Sequence, residues 1–482
     1  MLYALCAIFY TKSKDKVYKN WRSRLKCRIL CVHLQKKIRN INILRMKVLK
    51  FGGTSVGSAQ RIKDVAALVA GRGKNIIVLS AMSGTTNSLV EISDYLYKKN
   101  VTGAKENINA LEVKYMKTID ELFSTEEHRL EATKAIKERF DFIRSFNKPI
   151  FTLFEEKEIL AQGELMSTAL MFSYMKEQGI NVAMIPALDY MRTDKNAEPD
   201  TQYIQDKLSA LLASQPDADI YLTQGYICRN AYGEIDNLQR GGSDYTASLI
   251  GAAINAEEIE IWTDIDGMHN NDPRFVEGTK PVSELHFEEA AELAYFGAKI
   301  LHPTCVLPAK LNNIPVRLLN TMQPDAPGTL IYNSRPDHTI KAVAAKDNIT
   351  AIKIKSSRML LAYGFMRKVF EIFETHRTSI DMVATSEVGV SVTIDNERNL
   401  HAIIEDLKKF GTVSVDHDMV IICVVGDLEW QNRGFEAEVV NALKDIPVRM
   451  ISYGGSNYNI SLLVKKSDKV KALNLLSERI FK

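Results

Sequence analysis

KVLKFGGTSVGSAQRI, Lys47 to Ile62, is the stretch on which the fold turns. The apolar run that begins at Met46 reads as a β-strand that ends on Lys50 and Phe51 and breaks into Gly52 and Gly53. Glycines let backbone N–H groups come close to anionic oxygens, and the helix that follows offers its positive end. In a Walker A loop the lysine follows the last glycine of GxxxxGK[ST]. Here Ser58 follows Gly57, and Lys50 stands before the glycines. The stretch contains no GxGxxG dinucleotide fingerprint either. Taken alone it suits a polyphosphate loop or a glycine-rich hairpin.

Four further segments place polar residues where buried strands meet helices. IIVLSAMSGTTN, from Ile76, is an apolar strand running into Ser80, Gly84 and Thr86. GELMSTALMFSYMKEQG, from Gly163, reads as a helix that opens on Glu164 and stops at Gly179. In LQRGGSDYTASLIGAAINA, Arg240 precedes Gly241 and Gly242, then Ser243 as the expected N-cap and Asp244 in the first turn. Ala247, Ile250, Gly251 and Ile254 fall on one core-facing stripe of that helix. In IEIWTDIDGMHNNDPR the strand Ile259–Thr263 enters an acidic loop with Asp264 and His269, and Arg274 lies beyond it. FGAKILHP sets Lys299 and Ile300 just after Gly297. Each residue has a plain structural alternative: Glu164 a solvated helix-start carboxylate, Arg240 a surface arginine, Asp244 a dipole partner, Thr263 and Asp264 turn residues. Together, two lysines, an arginine and two carboxylates at element ends of one α/β layout point to a ligand, because ligands of open α/β sheets gather at the carboxyl ends of strands.

KFGGTSVGS, SAMSGTTN, GELMS, RGGSDYTA, WTD with DG, DPR and GAKILHP together resemble the aspartokinase branch of the amino-acid-kinase fold, from about Lys47 onward. The resemblance implies ATP-dependent phosphorylation of the side-chain carboxylate of L-aspartate to 4-phospho-L-aspartate, the first step of lysine, threonine and methionine biosynthesis. It implies Lys50, Asp244 and Lys299 as the catalytic group. It places Lys50, Phe51, Gly52, Gly53, Thr263, Asp264, His269, Arg274, Lys299 and Ile300 at ATP. Ser80, Thr86, Glu164, Arg240, Gly241, Gly242 and Ser243 fall at aspartate. His269 stands where lysine-sensitive members usually carry tyrosine. Mg²⁺ is expected on the phosphates, with no dedicated protein metal cage.

Elementary chemistry constrains these roles. A free carboxylate has a pKa of about 3.9, so the nucleophile is ionised at neutral pH and needs no general base. Catalysis then reduces to positioning and charge neutralisation, and Asp244 reads as the group that orients the lysines. The planar fork of Arg240 suits the α-carboxylate, leaving Glu164 for the ammonium. Competing readings are a kinase for glutamate or acetylglutamate, and a catalytically dead amino-acid sensor. GELMS and RGGSD weigh against the first. Lys50, Asp244 and Lys299 together weigh against the second.

With 482 residues, 46% of them hydrophobic, the chain supports more than one domain. In 46–332 strands alternate with helices, which predicts an α/β catalytic domain with a mainly parallel sheet between helices. Residues 333–348, with SRPDH, read as a linker. An internal repeat fills 349–482: Gly364 and Phe365 open FMRKVFEIFETH, and Gly434 and Phe435 open FEAEVVNALKDI. Two βαββαβ units of α+β type resemble paired ACT domains, the plain alternative being a ferredoxin-like dimerisation domain. The resemblance implies an amino-acid effector, lysine before threonine, and a homodimer or higher homo-oligomer formed through these domains. Met359, Gly364, Phe365, Asp381 and Ser386 match the effector segment, with Asp381 facing the ammonium of a lysine effector. Leu361 and Ala362 stand where polar residues are common.

Residues 1–45 are foreign to this plan. They hold twelve Lys/Arg against the single acid Asp15, and three of the six cysteines, so a chain of formal net charge +3 has a net acidic body. Met1–Tyr10 is apolar but too short to span a bilayer. Transit-peptide and nucleic-acid-arm readings fit the basic charge. The expectation is a disordered tail or a start-site artefact, with translation from Met46. Cys228, Cys305 and Cys423 show neither disulfide nor zinc spacing. The expected enzyme is cytoplasmic, with no nucleic-acid or membrane partner.

Overall fold

The computed structural model describes residues 46–238, 241–296, 303–335, 338–356 and 363–481. Residues 1–45, with the expectations attached to them, lie outside that set.

The N-terminal part begins with β1 (Lys47–Phe51), α1 (Ala59–Val69), β2 (Asn75–Leu79) and α2 (Thr85–Tyr97). Three long helices follow, α3 (Val101–Leu122), α4 (Glu126–Arg144) and α5 (Leu153–Glu177). Then come β3 (Val182–Met184), α6 (Thr201–Ser214), β4 (Ile220–Gln224), the hairpin β5 (Ile227–Arg229) and β6 (Ile235–Asn237), and α7 (Gly242–Ile254). This part closes with β7 (Ile259–Thr263), β8 (Glu284–His286), α8 (Phe287–Phe296), β9 (Val316–Asn320) and β10 (Thr329–Tyr332). Eight strands form one sheet in the order β3–β4–β2–β1–β7–β9–β10–β8. All neighbours are parallel except β9 with β10. The composition of the strands explains the arrangement: β2 (NIIVL) and β4 (IYLTQ) are buried at every position, as strands covered on both faces must be. Leu49, Phe51, Ile77 and Leu79 join one core with α1 to α5. The alternate residues Val48, Ile76 and Val78 are buried on the other face, where α7 packs on β1 and β2.

The C-terminal part consists of β11 (Ile340–Lys355), α9 (Phe365–Thr375), β12 (Val383–Ser386), β13 (Gly389–Ile394), α10 (Leu400–Lys408), β14 (Thr412–Gly426), α11 (Phe435–Ala442), β15 (Met450–Ser452), β16 (Asn459–Lys465) and α12 (Lys469–Ile480). The glycines expected to open the two repeat helices do so: Gly364 and Gly434 cap α9 and α11 at φ +81° and +102°, a conformation that costs other residues a Cβ clash. The two units are interleaved in one sheet, ordered β12–β13–β11–β14–β16–β15. Ile349–Lys355 of β11 serves the first unit, and Ile340–Lys346 pairs with Ile421–Gly426 in the second. Residues 340–348, expected in a linker, are therefore strand. The loop-like Lys346-Asp347-Asn348 is a register shift inside β11, with Asn348 at φ +60°, a bulge whose polar residues mimic a turn in the sequence.

Two segments of the N-terminal part are fastened to this sheet. Phe275 and Val276, in the segment after β7, pack into the core of the second unit, and Asn271 Nδ2 donates to the Leu473 carbonyl at 3.0 Å. Helix α8 packs on β11 and β14, and the His286 ring before it stacks on Tyr458 at 5.2 Å. Among the described residues no helix is long and apolar enough to cross a membrane.

Candidate active site

The carboxyl ends of β1, β2 and β4 open on a cleft of about 450 Å³, lined among others by Lys50, Gly53, Ser80, Thr86, Glu164, Gly242, Ser243 and Asp244. Lys50, the fourth residue of β1, sends Nζ to Asp244 Oδ1 at 2.6 Å, and both side chains are largely buried. Asp244 sits in the first turn of α7, so one ion pair ties the phosphate loop to that helix. Gly53 brings the loops together: its carbonyl accepts from Ser83 N–H at 3.0 Å, and a Cβ on it would stand 2.7 Å from the Ala81 carbonyl oxygen. A Cβ on Gly52 would lie 3.6 Å from Lys50 Nζ, so the absent side chain leaves the space before the ammonium open. Gly242 is pressed against the Tyr226 ring.

Two local expectations are corrected. Glu164 does not open a helix; it lies in the middle of α5, beyond the reach of the helix dipole. A capping box of Thr152 and Glu155 starts the helix ten residues before Gly163, and Gly163 itself packs against the Ala81 Cβ. Glu164 is 4% exposed, accepts from Ala81 N–H through Oε1 at 3.2 Å, and has no partner for its buried Oε2 among the described residues. Burial pushes its pKa up to about 8, against the pull of the backbone hydrogen bond from Ala81. The N-cap of α7 is Gly241, at φ +78°, rather than Ser243. Ser243 lies inside the first turn and packs on Gly225, which has no room for a Cβ.

The pattern of the amino acid kinase family matches residues 45–320, and that of an ACT domain matches residues 422–480. Lysine-sensitive aspartokinase 3 of Escherichia coli is 32% identical over 450 residues, covering 90% of this chain and 99% of that protein. Aspartokinase 3, chloroplastic, of Arabidopsis thaliana is 33% identical, covering 98% of this chain and 89% of that protein. The crystal structure of E. coli aspartokinase III in complex with aspartate and ADP superposes with a TM-score of 0.77 at 31% identity, over 91% of this chain and all of that one. The chain belongs to the aspartokinase family. The same enzyme in complex with lysine and aspartate superposes with a TM-score of 0.76.

In this aspartokinase the remaining expected residues fall in three places. Thr263 and Asp264 end β7, with the Thr263 hydroxyl donating to Asp264 Oδ1 at 3.1 Å. The His269 ring is held from both nitrogens, by Asp266 at 2.8 Å and Thr279 at 3.1 Å. Arg274 is exposed and pairs with Asp272. Asp381 and Ser386 lie in the C-terminal part, before and at the end of β12. Arg240, Lys299, Ile300 and Met359 lie outside the described residues. Ser83, Asn87 and Tyr226 also line the cleft. The first two sit in the quoted serine–glycine string, whereas Tyr226 lies in GYICRN after β4 and carried no sequence signal. Nor did Lys114: from α3 its Nζ donates to the Ser83 carbonyl, and desolvation lowers its pKa.

Proposed function

We propose that this aspartokinase transfers the γ-phosphoryl group of ATP to the side-chain carboxylate of L-aspartate, opening lysine, threonine and methionine synthesis under amino-acid feedback. One observation carries the reading: a cleft at the strand ends sets the Lys50–Asp244 pair on one wall and a buried, half-unpartnered carboxylate, Glu164, on another. The lysine answers the charge of phosphates, and Glu164 answers an ammonium. Its elevated pKa marks a carboxylate that lacks its cation.

Both reactants are anions, so the ammonium of Lys50, oriented by Asp244, offsets their repulsion where charge develops. Lys299 would supply a second cation, and Arg240 would hold the α-carboxylate. Ser80, Thr86, Gly241, Gly242 and Ser243 would complete the aspartate pocket. Gly52 and Gly53 would offer backbone donors to the phosphates. Phe51, Thr263, Asp264, His269, Arg274 and Ile300 would carry the nucleotide. Mg²⁺ would sit on the phosphates, keeping several of its waters and needing few protein ligands. When bound, that ion would neutralise phosphate charge.

Feedback would act at the ACT pair, through Met359, Gly364, Phe365, Asp381 and Ser386, with lysine as effector. Asp381 precedes β12 and Ser386 ends it. The same domains would join copies of the chain into a homodimer or higher homo-oligomer. The deciding assay traps the acyl phosphate with hydroxylamine, using aspartate, glutamate and acetylglutamate in turn. Product from aspartate alone is expected; product from either other acid alone, or from none, overturns the reading.

A further inference from the structure

Asp381 is already occupied. Its Oδ1 accepts from Lys346 Nζ at 2.7 Å and from the Tyr295 hydroxyl at 2.8 Å, and its side chain is fully buried. The second oxygen, Oδ2, is buried and has no hydrogen-bond partner among the described residues. Lys346 also reaches Asp395 Oδ2 at 3.0 Å, so one ammonium is shared by two carboxylates. It lies over the Tyr295 ring, 4.5 Å from the centroid.

These residues come from different parts of the chain. Lys346 sits at the bulge of β11 where the two regulatory units meet, and Asp381 leads into β12. Tyr295 belongs to α8 of the N-terminal part, four residues before Lys299 in the sequence. Burial and the Asp381 hydrogen bond push the Tyr295 pKa up to about 12, so at neutral pH its hydroxyl stays a proton donor. Desolvation works against the Lys346 ammonium, yet its bonds to Asp381 and Asp395 outweigh it and raise its pKa.

We propose that the Tyr295–Asp381 hydrogen bond couples the effector site to the segment bearing Lys299, and that the effector's ammonium works by displacing the chain's own Lys346 from Asp381. This rests on the reading of Asp381 as the effector's ammonium partner. A single carboxylate neutralises one cation. An effector ammonium arriving at Oδ2 repels Lys346, for which Asp395 is a ready second partner. The carboxylate that turns to the ligand then weakens its acceptance from Tyr295, and α8 loses one of its polar ties to the regulatory sheet, the one that Asn459 donates to Glu292 remaining. The ligand thereby interacts differently with the tied and untied states, which any regulatory effect requires.

The test compares wild type with Tyr295→Phe, Lys346→Gln and Asp381→Ala, measuring lysine binding by calorimetry alongside lysine inhibition of turnover, with melting curves to establish folding. Tyr295→Phe keeps the ring on Phe296, whose centroid lies 5.0 Å away, and loses only the hydroxyl. It is expected to turn over more slowly than wild type without lysine, to bind lysine as tightly as wild type or tighter, and to lose no more than about a further twofold of turnover when saturated with lysine. Lys346→Gln is expected to bind lysine several-fold tighter, because no internal ammonium has to leave. Wild-type inhibition in Tyr295→Phe, with binding lost in Asp381→Ala, overturns the coupling and spares the site. Weaker binding in folded Lys346→Gln overturns the displacement. If wild type binds no lysine, or Asp381→Ala binds it unchanged, the effector site falls and the coupling falls with it.

Discussion

Lys50 Nζ and Asp244 Oδ1 stand 2.6 Å apart at the point where the end of β1 meets the first turn of α7. Removing one member of a desolvated pair leaves the other buried without its counter-charge, which is more costly than losing an exposed salt bridge. Breaking the pair therefore carries a structural cost beside any effect on turnover.

Asp244→Asn and Lys50→Met separate the two roles. Each should lower kcat by about a hundredfold or more, the usual scale for losing one positioned charge in a group transfer. Lys50→Met should also raise the KM for ATP, since the ammonium faces the glycine loop. Asp244→Asn leaves that ammonium in place but misaimed, so its loss should fall mainly on kcat. Steady-state kinetics on folded variants decide this, and wild-type turnover in Lys50→Met would refute the assignment.

Glu164 sets a pH dependence. Its folded-state pKa of about 8 lies above the ordinary value of 4.5, so the folded protein keeps a proton that the unfolded chain releases. Stability contributed at this position is greatest below pH 4.5, falls as pH rises, and levels off above about 8. Glu164→Gln should thus lose less stability than wild type between pH 6 and 9. Aspartate binding needs the ionised form, so kcat/KM for aspartate should climb up to about pH 8 and then flatten. Proton release on aspartate binding at pH 7, measured in two buffers of different ionisation enthalpy, checks the same point. A flat profile would argue against Glu164 as the ammonium partner.

Gly52 and Gly53 should respond differently to alanine. On Gly53 the new Cβ meets the Ala81 carbonyl at 2.7 Å, which forces the loops apart and misplaces Lys50. A displacement of that kind typically costs about a hundredfold in rate, with a lowered melting temperature. On Gly52 the Cβ finds only contacts of 3.6 Å, so the fold should hold while the KM for ATP rises. Melting curves and ATP kinetics on the two variants test the pairing.

Lysine, threonine and methionine titrated separately against turnover should show inhibition by lysine. A buried carboxylate distinguishes an ammonium side chain from a neutral hydroxyl, because the hydroxyl cannot neutralise it. Inhibition by threonine alone would reject lysine as the effector.

Much of this protein was legible locally. The apolar runs of β1, β2, β4 and β7, the two glycines after β1 and the core-facing stripe of α7 are dictated by neighbours in sequence, since strand burial and helix periodicity are local patterns. The opening glycines of α9 and α11 announced the regulatory repeat for the same reason. What the sequence could not disclose was decided by contacts between distant segments. Glu164 looked like a helix-start residue until α5 was seen to begin at Leu153 and bury it against Ala81. Residues 340–348 looked like a linker because a bulge and a turn share the same polar residues, and only pairing with β14 makes them strand. The tie between Tyr295, Lys346 and Asp381 exists because tertiary packing brings two catalytic and regulatory surfaces together, and hydrogen bonds across such separations leave no periodic trace in the chain. Local patterning determined which elements form; long-range packing, which no local periodicity records, decided which charges are buried and which partners they meet.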